Sequence, residues 1–225
     1  MIDTALILAG GQGLRLRPLT LSIPKPLLPI KNKKIIEKII DKLKVNNIKI
    51  IYISLNYKAD MIKSLLGDGS RHKIKIIYLE EKIKLGTVGS IRLIKKPPKN
   101  LFVINGDILS NINLKEFFIS HLESGNGLTI AIKNIRIKND YGVLTLNKNE
   151  VIDYTEKPIS SFKVSTGMYV LSKSTIKYIP KNTSYGINKL TKDLIKKSIP
   201  INSYLHKGYW KDIGSFENYK IASEE

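Results

Sequence analysis

Ile2-Asp3-Thr4-Ala5-Leu6-Ile7-Leu8 runs without a break into Ala9-Gly10-Gly11-Gln12-Gly13-Leu14-Arg15-Leu16-Arg17-Pro18-Leu19-Thr20. The first stretch is a short apolar run that ends at a glycine pair, which reads as a buried strand. Three glycines follow its C-terminal end, where open α/β sheets bind ligands. Glycine permits backbone angles and close approaches that other residues forbid, so N–H groups can face an anion or a base. No Gly-Lys-Ser/Thr follows, so this is not a Walker A loop. Nor is it a dinucleotide-binding fingerprint. Leu16 stands where the third glycine belongs, and Pro18, Pro24, Pro26 and Pro29 keep a helix from starting at once. What remains is a long, proline-punctuated loop carrying Arg15, Arg17 and Lys25, three cations that suit a polyphosphate. Taken alone, the same residues also read as a glycine turn with solvated cations.

Outward from this loop, strands and helices alternate. Ile35–Leu43 has helical spacing, Lys49–Ser54 reads as a strand and Ala59–Leu66 as a helix stopped by Gly67. Lys73–Leu79 alternates as a strand. Val88–Ile94 begins a helix that ends before Pro97-Pro98, and Leu101–Asn105 is another buried strand. Such alternation predicts a parallel sheet with helices on both faces. Beyond Gly127 the strands Leu128–Ile132, Gly142–Leu146, Val151–Tyr154 and Lys163–Leu171 come at close spacing. Helices follow near Asn188–Lys197 and Phe216–Ala222. No linker or repeat interrupts the 225 residues, so one α/β domain is expected, with a mixed sheet and a β-rich second part.

Composition narrows the function. Hydrophobic residues make up 42% and charged residues 25%, which excludes disorder as the default. Cysteine is absent, so disulfides, thiolate zinc sites and cysteine nucleophiles are excluded. The apolar run Ala5–Ala9 is too short for a signal peptide or a membrane span, and no longer run occurs, so a cytoplasmic protein is expected. The net charge of +19 comes from 33 lysines and only five arginines, beside 37 isoleucines. Nucleic-acid readers favour arginine and interleave aromatics. The charge therefore reads as a solvated lysine surface, with a positive field available to draw in a phosphorylated substrate.

Three further stretches stand out. Asn105-Gly106-Asp107 puts an aspartate directly after a buried strand, at the edge where a hard oxygen ligand can hold Mg²⁺ against phosphates. Alone it is equally a turn. Glu156-Lys157-Pro158 sets opposite charges before a proline. Tyr209-Trp210-Lys211-Asp212-Ile213-Gly214 places an aspartate beside the only tryptophan, whose ring reads as packing rather than as a base platform.

Together these stretches resemble the sugar-1-phosphate nucleotidylyltransferases. The matching motifs are Leu8–Thr20, Pro24-Lys25-Pro26, Leu85-Gly86-Thr87-Val88-Gly89-Ser90, Asn105-Gly106-Asp107, Tyr141-Gly142-Val143, Glu156-Lys157-Pro158, Thr166-Gly167-Met168-Tyr169 and Trp210-Lys211-Asp212-Ile213-Gly214. They run in family order across nearly the whole chain. The resemblance implies a Rossmann-like fold, with a nucleotide-binding part over 1–126 and a sugar-phosphate-binding part over 127–225. It implies that Leu8, Ala9, Gly10, Gly11 and Gly13 hold the base and ribose, with Glu81, Gly86 and Thr87 near the base. Arg15 and Lys25 would meet the reacting phosphates, and Asp107 and Asp212 would share one Mg²⁺. Gly142, Glu156, Lys157, Thr166 and Gly167 would line the sugar phosphate.

Asn56-Tyr57-Lys58 and Asp212-Ile213-Gly214 look most like the guanylyltransferase branch, so GTP is the expected donor and a sugar 1-phosphate the expected acceptor. Ser165-Thr166 is closer to the thymidylyltransferase pattern, and Leu14 replaces a hydroxyl residue common in the family. The implied partners are these two substrates and a second copy in a homodimer, with no nucleic acid and no membrane. In such a reaction a phosphate oxygen of the sugar 1-phosphate attacks the α-phosphorus and pyrophosphate leaves. That oxygen is ionised near neutral pH, so no protein base is required and His72, His121 and His206 need no role. A catalytically silent binder of sugar nucleotides is the rival reading. Retention of Arg15, Lys25, Asp107 and Asp212 argues against it.

Overall fold

In the computed structural model, which describes residues 2–224, thirteen strands and eight α-helices are formed. The strands are β1 Thr4–Leu8, β2 Pro29–Ile30, β3 Lys33–Lys34, β4 Ile50–Leu55, β5 Lys75–Glu80, β6 Asn100–Asn105, β7 Ile108–Ser110, β8 Leu128–Lys138, β9 Val143–Asn147, β10 Glu150–Thr155, β11 Ile159–Ser172, β12 Asn202–Leu205 and β13 Trp210–Asp212. The helices are α1 Leu19–Ser22, α2 Ile35–Val45, α3 Ala59–Leu66, α4 Gly86–Gly89, α5 Leu114–Ser124, α6 Lys173–Ile176, α7 Ile187–Lys196 and α8 Phe216–Glu224.

Seven strands form the central sheet in the order β12-β8-β11-β6-β1-β4-β5. Every neighbouring pair is parallel except those made by β11, which runs antiparallel to both β6 and β8. The expected α/β class with a mixed, mostly parallel sheet flanked by helices is therefore correct. Residues before and after 126 both contribute strands, and they join where β11 pairs with β6.

Successive residues of one strand point to opposite faces, and here both faces are covered. On β1 and β6, Ala5, Ile7, Phe102 and Ile104 enter one core with the Ile35, Ile36, Ile39, Ile40 and Leu43 stripe of α2. Leu6, Leu101 and Val103 enter the other with Leu190 and Leu194 of α7. That alternation explains why these strands read as continuous apolar runs.

Helix α5 was not anticipated, although its signals are present. The Asn113 side chain accepts from Glu116 N (3.3 Å) as an N-cap, and Gly125 ends the helix in the left-handed region (φ 65°). Its Phe117, Phe118 and His121 are buried, the two phenylalanines against Phe102. The Val88–Ile94 helix is a single turn, α4, continued by a 3₁₀ turn over Ser90–Leu93. Strand β8 runs to Lys138, six residues beyond the expected end, and β9 and β10 form a separate two-stranded ribbon whose every residue is exposed.

Candidate active site

The carboxyl ends of β1, β4 and β6 lie side by side at one edge of the sheet. Ala9 N donates to Ser54 O (2.9 Å) as the chain leaves β1. A Cβ at Gly10 would sit 3.4 Å from Asn56, and one at Gly11 would meet nothing within 4 Å, so the backbone there is bare. Gly13 takes a left-handed φ of 63°, and a side chain there would strike Thr20 at 2.8 Å. Thr20 Oγ1 donates to Gly13 O (2.8 Å) and closes the loop on itself. Arg15 follows on a 3₁₀ turn, exposed beside the buried Leu16.

A cavity of ≈ 370 Å³ opens over this loop. Six residues expected to hold nucleotide line it together: Leu8, Gly10, Gly11, Glu81, Gly86 and Thr87. Leu14 and Asn105 line it too, so the family hydroxyl is replaced at the cavity wall by an exposed apolar side chain. Glu81 is held at both oxygens. Oε1 accepts from Ser54 Oγ, Oε2 accepts from Leu85 N (2.8 Å), and the Glu81 carbonyl accepts from Asn56 Nδ2 (2.8 Å). Gly86, at φ 72°, lies against the Tyr185 backbone, whose carbonyl oxygen a Cβ would meet at 3.0 Å.

Asp107 and Asp212, 105 positions apart, are brought together by a short ribbon. The Asn105-Gly106-Asp107 turn crosses the end of β1, where Gly106 N donates to Leu8 O (2.9 Å) and a Cβ on Gly106 would lie 2.8 Å from that carbonyl. Strand β7 then pairs antiparallel with β13, Ile108 opposite Asp212, and Ile213 N donates to Asp107 O (2.9 Å). Lys25 stands between the two carboxylates. It forms an ion pair with Asp107 Oδ2 and lies 3.8 Å from Asp212 Oδ1. Its place is fixed by Pro24 and Pro26 on either side and by burial of the turn Lys25–Leu27. Arg15 reaches the same spot from the glycine loop. A Cβ on Gly214 would lie 2.7 Å from Arg15 Nη2 and 2.9 Å from Asp212 Oδ1.

This convergence sets the electrostatics. Burial, and then the neighbouring Asp107 carboxylate, push the Asp212 carboxyl above its ordinary value, while Lys25 and Arg15 pull it back. Asp107 Oδ1 and Asp212 Oδ1 are buried and accept no hydrogen bond. Two adjacent carboxylates with orphaned oxygens are the donor set of a hard cation. Among the described residues no group of three or more histidine, cysteine, aspartate or glutamate side chains is placed to hold a metal. These two carboxylates could hold a divalent cation whose remaining positions substrate phosphates would fill.

The expected sugar-side residues divide. Gly167, at φ 78° where β11 shifts register against β8, sits so that a Cβ would meet Asn105 Nδ2 at 2.7 Å, next to the cavity. Thr166 is fully buried. Its hydroxyl donates to Ala131 O (2.8 Å) and its carbonyl accepts from Trp210 Nε1 (2.8 Å). The tryptophan is accordingly a packing residue that ties β13 to β11. Gly142, Glu156 and Lys157 lie at the base of the exposed β9–β10 ribbon. There Glu156 accepts from Tyr154 Oη (2.5 Å) and faces Lys157 at 4.0 Å.

His121 is buried on Thr129, Asn100 and Ser172, and His206 on Ser110 and the Tyr209 carbonyl, both as packing residues. Reading the sequence missed Ser54, which aims Glu81, and Tyr185, which backs Gly86. Neither carries a motif signal, because each acts through a fold contact with a distant segment. Gly214 was visible only as the end of a motif.

No helix among the described residues is long and apolar enough to cross a membrane. Comparison with known proteins gives one consistent result. The nucleotidyl transferase family profile matches residues 4–225. A D-glycero-alpha-D-manno-heptose 1-phosphate guanylyltransferase of Aneurinibacillus thermoaerophilus is 31% identical over 98% of this chain and 97% of its own. A mannose-1-phosphate guanyltransferase of Debaryomyces hansenii is 32% identical over 95% of this chain, which spans 62% of that longer protein. The crystal structure of HddC from Yersinia pseudotuberculosis complexed with GMP-PN superposes with a TM-score of 0.75 at 28% identity, covering 99% of both chains. With the profile running from β1 to the last helix, and the heptose relative matched end to end, this chain belongs to the nucleotidyl transferase family.

Proposed function

We propose that this protein is a sugar-1-phosphate guanylyltransferase, converting GTP and a manno-configured sugar 1-phosphate into a GDP-sugar and pyrophosphate in the cytoplasm. The observation that carries the reading is the convergence of Asp107, Asp212, Lys25 and Arg15 beside the glycine-loop cavity. The base follows from Glu81. Its carboxylate only accepts hydrogen bonds, and it is fixed in the cavity wall by Ser54 and Leu85 N with lone pairs to spare. Guanine offers adjacent N–H donors from its ring and its amino group, whereas uracil and thymine offer one. The sugar follows from the two relatives, both named for manno-configured acceptors. Thr166, the residue that looked thymidylyl-like, keeps its hydroxyl on Ala131 O and offers no side-chain contact to a ligand.

The bare backbone of Gly10 and Gly11 lets the nucleotide approach, and Glu81 orients the base. Asp107 and Asp212 would hold a divalent cation, which when bound neutralises charge on the phosphates. Lys25 and Arg15 oppose the charge that builds on the α-phosphate and the departing pyrophosphate. An oxygen of the sugar 1-phosphate forms the new P–O bond at the α-phosphorus. The α–β bond breaks, and its electron pair leaves with pyrophosphate. No proton needs to be removed, and no histidine lines the cavity among the described residues. Lys157 and Glu156, at the base of the β9–β10 ribbon, would meet the sugar phosphate.

Pyrophosphate release across the common NTPs and a panel of sugar 1-phosphates tests the reading. GTP with a manno-configured acceptor should be the best pair, and EDTA should abolish turnover. A clear preference for UTP or dTTP would overturn the base, and a preference for glucose 1-phosphate the sugar.

A further inference from the structure

A second cavity, of ≈ 550 Å³, lies between α2, α8 and the β7–β13 ribbon. It shares no lining residue with the nucleotide cavity. Its volume is that of an ordinary small-molecule site. The interior is apolar, with Ile39 and Leu43 from α2, Phe102 and Ile104 from β6, Ile108 from β7 and Ala222 from α8.

The charge around it is one-sided. Lys31, Lys38 and Lys42 line the cavity and no carboxylate does. None of the three has a carboxylate partner within ion-pair distance among the described residues. Lys38 and Lys42 are four residues apart on α2 and so lie on one face of the helix. Lys42 Nζ donates to the Ser110 carbonyl (2.6 Å), which holds it at the wall rather than in solvent. Burial lowers the Lys42 ammonium to about 8, a strain that an adjacent anion would relieve.

An apolar interior flanked by paired, unopposed ammonium groups is complementary to a molecule with a hydrocarbon body and a negative head. We propose that this cavity binds a single-chain fatty carboxylate, with the chain on Ile39, Leu43, Phe102 and Ile108 and the carboxylate between Lys38 and Lys42. Two ammonium donors four residues apart on one helix face can each meet one oxygen of a single carboxylate. The site has a built-in reporter. Ser110, which lines it, pairs across the ribbon with Trp210, the only tryptophan of the chain. The same ribbon carries Asp212, and Asp107 immediately precedes it, so an occupant would press on the strands that set the spacing of the two aspartates.

The test is calorimetric and fluorescence titration of the full chain with decanoate below its micelle concentration, beside 1-decanol, decyltrimethylammonium and phosphatidylglycerol vesicles. Decanoate should bind at one saturable site, perturb Trp210 emission and bind ~10-fold more tightly than decanol, the increment of a charge-assisted contact. Decyltrimethylammonium should not bind. The Lys38→Gln/Lys42→Gln variant should bind decanoate and decanol alike, and its retained decanol binding shows the cavity to be intact. The proposal is overturned if the unmodified protein shows no saturable decanoate site, if decanol binds it equally well, or if the double variant keeps the preference. Binding to the vesicles without binding to monomeric decanoate would also overturn it, because the lysines would then belong to a membrane-facing surface.

Discussion

Replacing Lys25 with methionine should cost the protein both stability and turnover, and a divalent cation should return part of the first without the second. Lys25 is 9% exposed and is the cation between Asp107 and Asp212. At 3.8 Å and an effective dielectric constant near 20, its attraction to Asp212 alone is about 4 kcal/mol. The two carboxylate side chains are 24% and 37% exposed, so water screens about half of that. The like charges left facing each other without a counter-charge add to this, and removal of the desolvation cost of a buried ammonium offsets that addition. A net loss of about 2 kcal/mol, or roughly 4–8 °C in Tm for a chain of this size, is the expected result. The substituted chain has the same carboxylates and a stronger need for a cation, so millimolar Mg²⁺ without substrates should raise its Tm by more than it raises that of the unmodified protein. Turnover should stay at least ~100-fold down, because the cation that meets the growing phosphate charge is missing. Thermal melts with and without Mg²⁺, beside pyrophosphate release, read both quantities. An unchanged Tm, or equal Mg²⁺ shifts for the two proteins, would refute the view that Lys25 and a metal ion answer the same pair of carboxylates.

Asp212→Asn should abolish most activity yet leave Tm at pH 7 equal to or above that of the parent. The Asp212 carboxyl is held above its ordinary value, so its charged form costs folded-state stability that is progressively lost as pH rises through the folded value, and Asn removes that cost. A lower Tm would refute this. Glu81→Gln should reduce the preference for GTP over UTP by ~100-fold in kcat/KM, since an amide cannot accept at both positions; an unchanged ratio would remove Glu81 from base recognition. Burial holds His121 and His206 below their ordinary value, so unfolding takes up protons once the pH falls under about 6.5. Stability should then decline by about 1.4 kcal/mol per pH unit for each histidine until its folded value is passed. Urea melts between pH 7 and 5 should show that slope, and it should shrink in His121→Asn.

Much of this was legible in the chain itself, and the reasons are specific. The strand at Leu101–Asn105 and the helix at Ala59–Leu66 were readable because a run buried on both faces and a stripe ended by glycine are local patterns. Helix α5 had an equally local start at Asn113 and stop at Gly125, and was overlooked beneath the more visible motif that precedes it. The β7–β13 ribbon was beyond reach, since its strands are three residues each and only their mutual pairing makes them strands. The same limit applied to the site. Asp107 and Asp212 could be named from a resemblance, but their meeting depends on an Ile213-to-Asp107 backbone bond that no spacing rule encodes. Ser54 and Tyr185 do their work through contacts made only after folding.

The isolated β9–β10 ribbon bears on how such a protein changes over generations. Its residues Leu144, Leu146, Val151, Ile152 and Tyr154 are all more than half exposed, and among the described residues no third strand pairs with it. A two-stranded hairpin without a covering layer contributes little to global stability, so substitutions within it are nearly free of folding cost. If the acceptor sugar is gripped there, mutation can explore new acceptors in a segment whose failure does not unfold the sheet, while the aspartates and the glycine loop stay under the tight constraint of the core. Selectivity for the sugar would then drift faster than the chemistry it serves.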